Sequence, residues 1–458
     1  MAEKAVTETL TEKEMDSDYS LSRVPAEAKQ KLWRIVFVRI GYICCVGELM
    51  LGASLGFGMS FGNAMLVTLL GSVFLQVISW GLGTAAAREG LSCSMLSRWA
   101  GLGKKGSAVF GAVVAISMIG WFGVQNSVFG QGLADIIPLT DFLGGAEFGV
   151  WATITGLAIT LVVVLGIGAI ANLAVVLVPL FMAAAIFSAA IALQDHSLME
   201  LLVANPAGTA LSIGAGTTIV AGGFIAGSIC TPDYARFLNN GKEVFWMTLI
   251  GTFVGEFGTN IIGVLLALAM GTSDIITIMM GTSGILGVLI VVASTAKVND
   301  LNLYTSGLGI STFVNSIFNK KVNRTVLIWT LGIIGTFLSV IGIINYFTDF
   351  LTLLGVALPP VAGIIVIDYF ILKRGRAALD ESRERGALPS KVENWNPVAM
   401  VCWVAAFAIG EVTSIYAIGI ACLNSLIGAG LLYFVAMKVV AALKHEDEAV
   451  FEETDLVL

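Results

Sequence analysis

The sequence predicts an all-α integral membrane protein with about twelve transmembrane helices, and three observations lead there. Of 458 residues, 57% are hydrophobic and only 12% charged, with a mean hydropathy of +0.90, well outside the range of soluble globular chains. Apolar stretches of the roughly 20 residues that a bilayer core demands recur twelve times. The basic residues fall only in alternate connections, with one exception inside a stretch.

The stretches run at about 35–58, 62–86, 107–133, 148–168, 171–193, 208–231, 244–270, 279–304, 323–345, 348–372, 396–417 and 420–441. Lys and Arg precede the first and then group at Arg88 to Lys105, Arg236 and Lys242, Lys320 to Arg324, Lys373 to Lys391, and Lys438 and Lys444. The intervening connections hold only acids, among them Asp141, Asp195 and Asp274. An excess of Lys and Arg marks the cytoplasmic side, so both termini are expected in the cytosol of a cell with this protein in its inner membrane. No cleavable signal peptide is evident: residues 1–28 are charged and polar and read as a disordered tail, and 445–458 as a short acidic one. Between them, 29–444 reads as one membrane-embedded domain.

Charge inside the spans is the sharpest feature. Lys297 lies in span eight and Glu48 in span one, and each costs roughly 2.5–3.5 kcal/mol at a helix centre if left alone. Their opposite signs make them candidate partners and a candidate coupling pair, with Asp300 as a competing partner for Lys297 and Glu256 in span seven as the alternative proton carrier. Asp233 and Arg236, one turn apart at the end of span six, read as a gating or surface ion pair.

Two glycine-rich runs, "GELMLGASLGFG" (47–58) and "AGGFIAGSICTPD" (221–233), weaken spans one and six. Irregular backbone at membrane depth survives where it lines a cavity. Paired breaks five spans apart point to an inverted-repeat transporter, with repeat one at about 35–193, repeat two at about 208–372 and two extra helices at about 396–441. The competing explanation is that the glycines let helices pack closely. Other chemistry is excluded by context. "GASLG" (52–56) and "GMSFG" (58–62) match G-x-S-x-G without the strand, turn and histidine a nucleophile needs. Both histidines, His196 and His445, sit in polar segments, and the six cysteines form no C-x-x-C pair. No enzyme activity, metal or cofactor is expected. The lipid bilayer is an expected partner, with no nucleic acid and no obligate protein partner indicated.

Four segments, "GWFGVQ" (120–125), "GGFIAGSICTPDYARF" (222–237), "VNDLNLYTSGLG" (298–309) and "LGVALPPVAGIIVIDYFILKR" (354–374), resemble the nucleobase:cation symporter family, which includes the cytosine, hydantoin and allantoin permeases. The resemblance implies a leucine-transporter-like fold of two inverted five-helix repeats, helices one and six broken, plus two C-terminal helices. It also implies import of a nucleobase or similar ring by alternating access. Carried over position by position, it makes Trp121 and Phe224, at the break of span six, the stacking aromatics. Gln125 and Asn299 become the polar contacts, and Ala226 and Gly227 supply exposed main-chain groups. Met118 stands where cytosine-type members have a glutamine.

Sodium-coupled members carry two adjacent hydroxyl residues before that asparagine. Here the positions are Lys297 and Val298, which offer no oxygen ligand. The expectation is a tethered ammonium in place of sodium, giving a proton-coupled carrier or a uniporter. The remaining alternatives are a sodium-coupled carrier of another heterocycle, such as a vitamin ring, and a nucleobase-binding membrane sensor.

Overall fold

Hydrocarbon offers no hydrogen-bond partners, so an apolar stretch must satisfy its own backbone, and here it does so as helix. A computed structural model describes residues 19, 21–139, 146–165, 174–445 and 450–456. Span one comprises Leu32–Ile43 and Val46–Gly58, span two Phe61–Glu89, span three Gly103–Ile136, span four Glu147–Leu165 and span five Ala174–Asp195. Span six is Ile213–Ile229 followed by the short Pro232–Ala235, and span seven runs from Gly241 to Met270 through a π turn at Thr252–Phe257. Spans eight to twelve are Ile275–Phe318, Arg324–Val340, Ile343–Leu372, Pro397–Ile415 and Ala421–Lys444. Ten of these are long and apolar enough to cross a membrane alone; span one qualifies as a bent pair, and span nine is a shorter apolar helix. The chain is a multi-pass membrane protein.

Side-chain caps start several spans: Ser212 accepts from Ala215 N, and Asn240 from Lys242 N and Glu243 N, each supplying an acceptor to an orphan first-turn N–H. Gly90 and Gly271 end spans two and seven at φ of 68° and 65°, the left-handed closure that glycine takes without a Cβ penalty.

Span three packs along span eight and span four along nine, while the second half of span one lies on span seven and span six on span two. These pairings map onto themselves when each span is exchanged with the one five places later.

The breaks differ from the sequence expectation. Span one bends by 56° at Cys44–Cys45, where Cys44 has ψ 85° and Cys45 is extended, ahead of the glycine run. The run itself is continuous helix, and its glycines serve close packing. A Cβ on Gly52 or Gly56 would stand 2.5 Å from the Asn260 or Val264 carbonyl oxygen of span seven, the small-xxx-small arrangement. Span six is likewise helical through Gly222, Gly223 and Phe224 and is interrupted only at Cys230–Thr231. Span eight extends to Phe318, beyond the expected end at 304, and its kink is at Gly284 (φ 61°, ψ −159°).

On the face carrying both termini, part of the expected amino-terminal tail is anchored. Arg23 is buried and donates to Glu89 Oε2 (2.9 Å), Ser382 Oγ (2.9 Å) and the Ala387 carbonyl (2.7 Å). Glu89 also accepts from Tyr369 (2.6 Å) and Arg383 (2.9 Å). Lys29 donates to the Ala87, Arg236 and Leu238 carbonyls, and burial pushes its ammonium down to about 8. Near the other end, Glu453–Asp455 (β2) pairs antiparallel with Lys391–Glu393 (β1). Residues 1–18 and 446–449 of the expected tails, and the junction of spans four and five, lie outside the described residues.

Glu89→Ala would leave the Arg23 guanidinium buried without its carboxylate, a loss of about 3–5 kcal/mol. The expected result is a clear fall in the thermal unfolding midpoint, larger than for Asp380→Ala, whose carboxylate is about a third exposed.

Candidate functional site

A helix that bends without losing its neighbours must leave space at the bend, and a small cavity of about 80 Å³ opens there, below the roughly 300–1,000 Å³ typical of open small-molecule sites. Both halves of span one contribute to it through Gly41, Tyr42, Cys45, Gly47 and Glu48. The first half ends here, so its last carbonyls lack helical partners and present partial negative charge. The second half begins here, with Glu48 N and Leu49 N turned onto the Cys45 carbonyl.

Span three adds Met118, Trp121 and Gln125, which lie one helical turn apart and so share a face. Trp121 lies close over span one: a Cβ on Gly47 would stand 3.0 Å from its six-membered ring. Its edge contacts are with Phe350 (5.5 Å) and Phe347 (6.0 Å) of span ten. Phe347 also lines a second cavity on the far face, of about 560 Å³. The two rings therefore lie between the bend cavity and that vestibule. Gln125 is buried and its Oε1 has no hydrogen-bond partner among the described residues, leaving the acceptor free for a ligand.

Span six adds Gly223, Phe224, Ala226 and Gly227. Phe224 is held edge-on by Tyr42 (5.8 Å) and lies under the Arg39 guanidinium, 5.3 Å from Cζ to the ring centre. It sits within the helix, not at a break. The main chain at Ala226 and Gly227 is not free either: the Ala226 carbonyl accepts from Cys230 N and the Gly227 carbonyl from Thr231 Oγ1.

Span eight adds Lys297, Val298, Leu301 and Asn302. Asn299 does not reach the cavity. It donates to the Phe122 carbonyl (3.0 Å) and accepts from Asn302 Nδ2 (3.3 Å). At 100° per residue the lining positions 297, 301, 298 and 302 spread over an arc of about 140°, and 299 lies beyond its edge. The cavity amide of span eight is Asn302. Asp300 is buried outside the cavity lining.

Lys297 and Glu48 share the cavity without touching: among the described residues no carboxylate lies within 4 Å of the lysine nitrogen. Glu48 Oε2 has no hydrogen-bond partner, and Oε1 leans toward span six, 3.6 Å from where a Cβ on Gly223 would stand. The expected bridge between spans one and eight is thus open, with two opposite charges facing one space. Asp233 and Arg236 serve the terminal face. Asp233 Oδ1 accepts from Cys93 N (2.8 Å), and Arg236 donates to the carbonyls of Asp233 and Tyr19.

Arg39 escaped the sequence reading, which counted it with the basic residues before span one. It is fully buried and donates to Ser79, Thr231, Tyr234 and Thr252. Two aromatic rings, two amides and a lysine around one small cavity suit a flat, polar-edged ring.

Asn302→Ala is expected to weaken ligand binding about 10-fold through loss of one hydrogen bond, and to lower stability by about 1 kcal/mol because Asn299 Oδ1 also loses its donor. Asn299→Ala is expected to lower stability by about 1–3 kcal/mol, because the Phe122 carbonyl loses its side-chain donor. Calorimetric titration paired with thermal melts separates the two.

Comparison with known proteins places this geometry. Residues 23–436 match the family described as permeases for cytosine/purines, uracil, thiamine and allantoin. The cytosine permease of Escherichia coli K12 is 28% identical over 438 residues, covering 94% of this chain and 98% of that protein. Among solved structures, the chain is similar to Mhp1, a nucleobase-cation-symport-1 family transporter, in a closed conformation with bromovinylhydantoin bound. That likeness has a TM-score of 0.71 at 19% identity over 93% of this chain and 96% of that one. It is similar also to inward-facing Mhp1, with a TM-score of 0.75 at 19% identity over 92% and 95%. With the family match running through eleven spans and into the twelfth, the chain belongs to the nucleobase:cation symporter family of permeases, a membrane transporter and not an enzyme.

Proposed function

We propose that the protein imports a nucleobase or similar small heterocycle across the inner membrane by alternating access, driven by protons and independent of sodium, with both termini in the cytosol. The observation that carries this reading is the face of span eight turned to the bend of span one: it presents Lys297 and Val298 where sodium coupling calls for oxygen ligands. An ammonium beside the carbonyl end of a half-helix supplies the positive charge that a coordinated metal would bring, and it cannot leave.

The substrate stacks on Trp121 and Phe224, each stack worth roughly 1–3 kcal/mol. Gln125 and Asn302 read its edge, since each amide offers a donor and an acceptor. Closure of the cavity draws Lys297 and Glu48 together, and proton loss on the cytosolic side releases them. The similarity to a fold solved both closed around a hydantoin and inward-facing supports the alternating cycle. Met118 in place of a glutamine argues against ordinary cytosine and for another ring of that size.

Uptake into proteoliposomes, with labelled cytosine, hydantoin, allantoin and purines as probes, is expected to follow a proton gradient and to ignore sodium at constant pH. Sodium stimulation at constant pH refutes the proposal. Lys297→Ala is expected to abolish gradient-driven accumulation while retaining exchange, and Trp121→Ala to weaken binding of the transported probe about 10- to 100-fold.

A further inference from the structure

Behind the bend cavity, spans one and seven enclose a second set of polar groups, of which the proposed transport cycle uses only Glu48. Span seven follows span one closely on both sides of the bend. A Cβ on Gly251 would stand 2.6 Å from Arg39, and one on Gly255 2.8 Å from Ile43, while Gly52 and Gly56 meet Asn260 and Val264 beyond it. The two helices therefore run parallel, and Glu48 and Glu256, one turn before Gly52 and Asn260, come level with each other.

Glu256 sits in the π turn Thr252–Phe257, a local widening common at functional sites. It is 1% exposed, and neither carboxylate oxygen has a hydrogen-bond partner among the described residues. The same holds for Glu48 Oε2 and for both side-chain polar atoms of Asn260. Ser72 of span two lies beside the Glu256 carboxylate without hydrogen-bond geometry.

Charges facing Glu256 are few. The first half of span one presents Arg39, whose hydrogen bonds all go to hydroxyls, and the titratable Tyr42 and Cys44. The second half presents Glu48, which is within electrostatic reach. On span two, Arg88 and Glu89 are at the far end and committed to the terminal face. On span seven, Lys242 and Glu243 are at the start, where Glu243 binds Asn239. Lys297 faces Glu48 only across the substrate cavity, with no ion pair between them among the described residues; within the interface of spans one and seven, two ionised carboxylates and one guanidinium leave one negative charge where unpaired charge is strongly disfavoured. One proton between the two acids brings the sum to zero, the arrangement two neighbouring carboxylates adopt when both cannot ionise.

We propose that Glu256 and Glu48 form a second cation site that holds one proton between them, with Arg39 as its fixed counter-charge. This rests on the proton-coupled reading and adds where the proton resides. Arg39 also touches Phe224, and Glu48 faces the substrate cavity. The dyad therefore lies beside the bend through Glu48 and is separated from the stacking ring only by Arg39.

Infrared spectra of the purified full-length protein at neutral pH test this without any substrate. The wild type is expected to show a carboxylic-acid carbonyl band that shifts in heavy water. Glu256→Gln and Glu48→Gln should each lose it, because Arg39 then balances the one acid left; Glu256→Asp should keep it. Unaltered elution and melting of the variants verify folding. Absence of the band in the wild type, its persistence in Glu256→Gln, or its loss only in Glu48→Gln each overturns the proposal. A band abolished by sodium assigns the site to a metal cation and overturns it as well. Sodium-driven uptake with an intact, sodium-insensitive band defeats the coupling reading and leaves the dyad standing.

Discussion

Ionised side chains cannot cross hydrocarbon unaccompanied, and the architecture around span one follows from that constraint. Arg39 and Glu48 lie on either side of one bend, with Lys297 facing it from span eight and Glu256 from span seven. Each demands neighbours that supply charge or hydrogen bonds. Span seven approaches through glycine contacts and a π turn, span six through Phe224 and Tyr234, and span two through Ser72 and Ser79. The bundle of spans one, two, six and seven is thus the set of helices these charges require, and the cavity is the gap left where span one changes direction.

Much of this was legible in the sequence. Hydropathy placed the apolar segments because each must be long and oily whatever packs against it. The i, i+3 and i, i+4 spacing of Met118, Trp121 and Gln125 placed them on one face. Backbone irregularity was harder to read. A glycine run can either break a helix or admit a neighbour, and 47–58 does the second, while the actual bend at Cys44–Cys45 has no glycine or proline to mark it. Asn299 was read from a family position, but its side chain is spent on the Phe122 carbonyl of span three and Asn302 lines the cavity instead.

Long-range pairing was the least legible. Nothing local shows that Arg23 will be buried against Glu89 and Ser382, or that residues 453–455 will pair with 391–393. Such contacts join segments from tens to hundreds of residues apart. They tie both ends of the chain to the loops of the terminal face, which must rearrange if the cavity is to open on that side.

All six thiols are unpaired, and Cys45 alone among them lines the bend cavity. A native reporter is therefore already installed at the centre of the carrier. A small membrane-impermeant alkylating reagent applied from one side would tag that sulfur only while the passage on that side stands open. Its labelling rate would record the carrier's orientation without introducing a new residue.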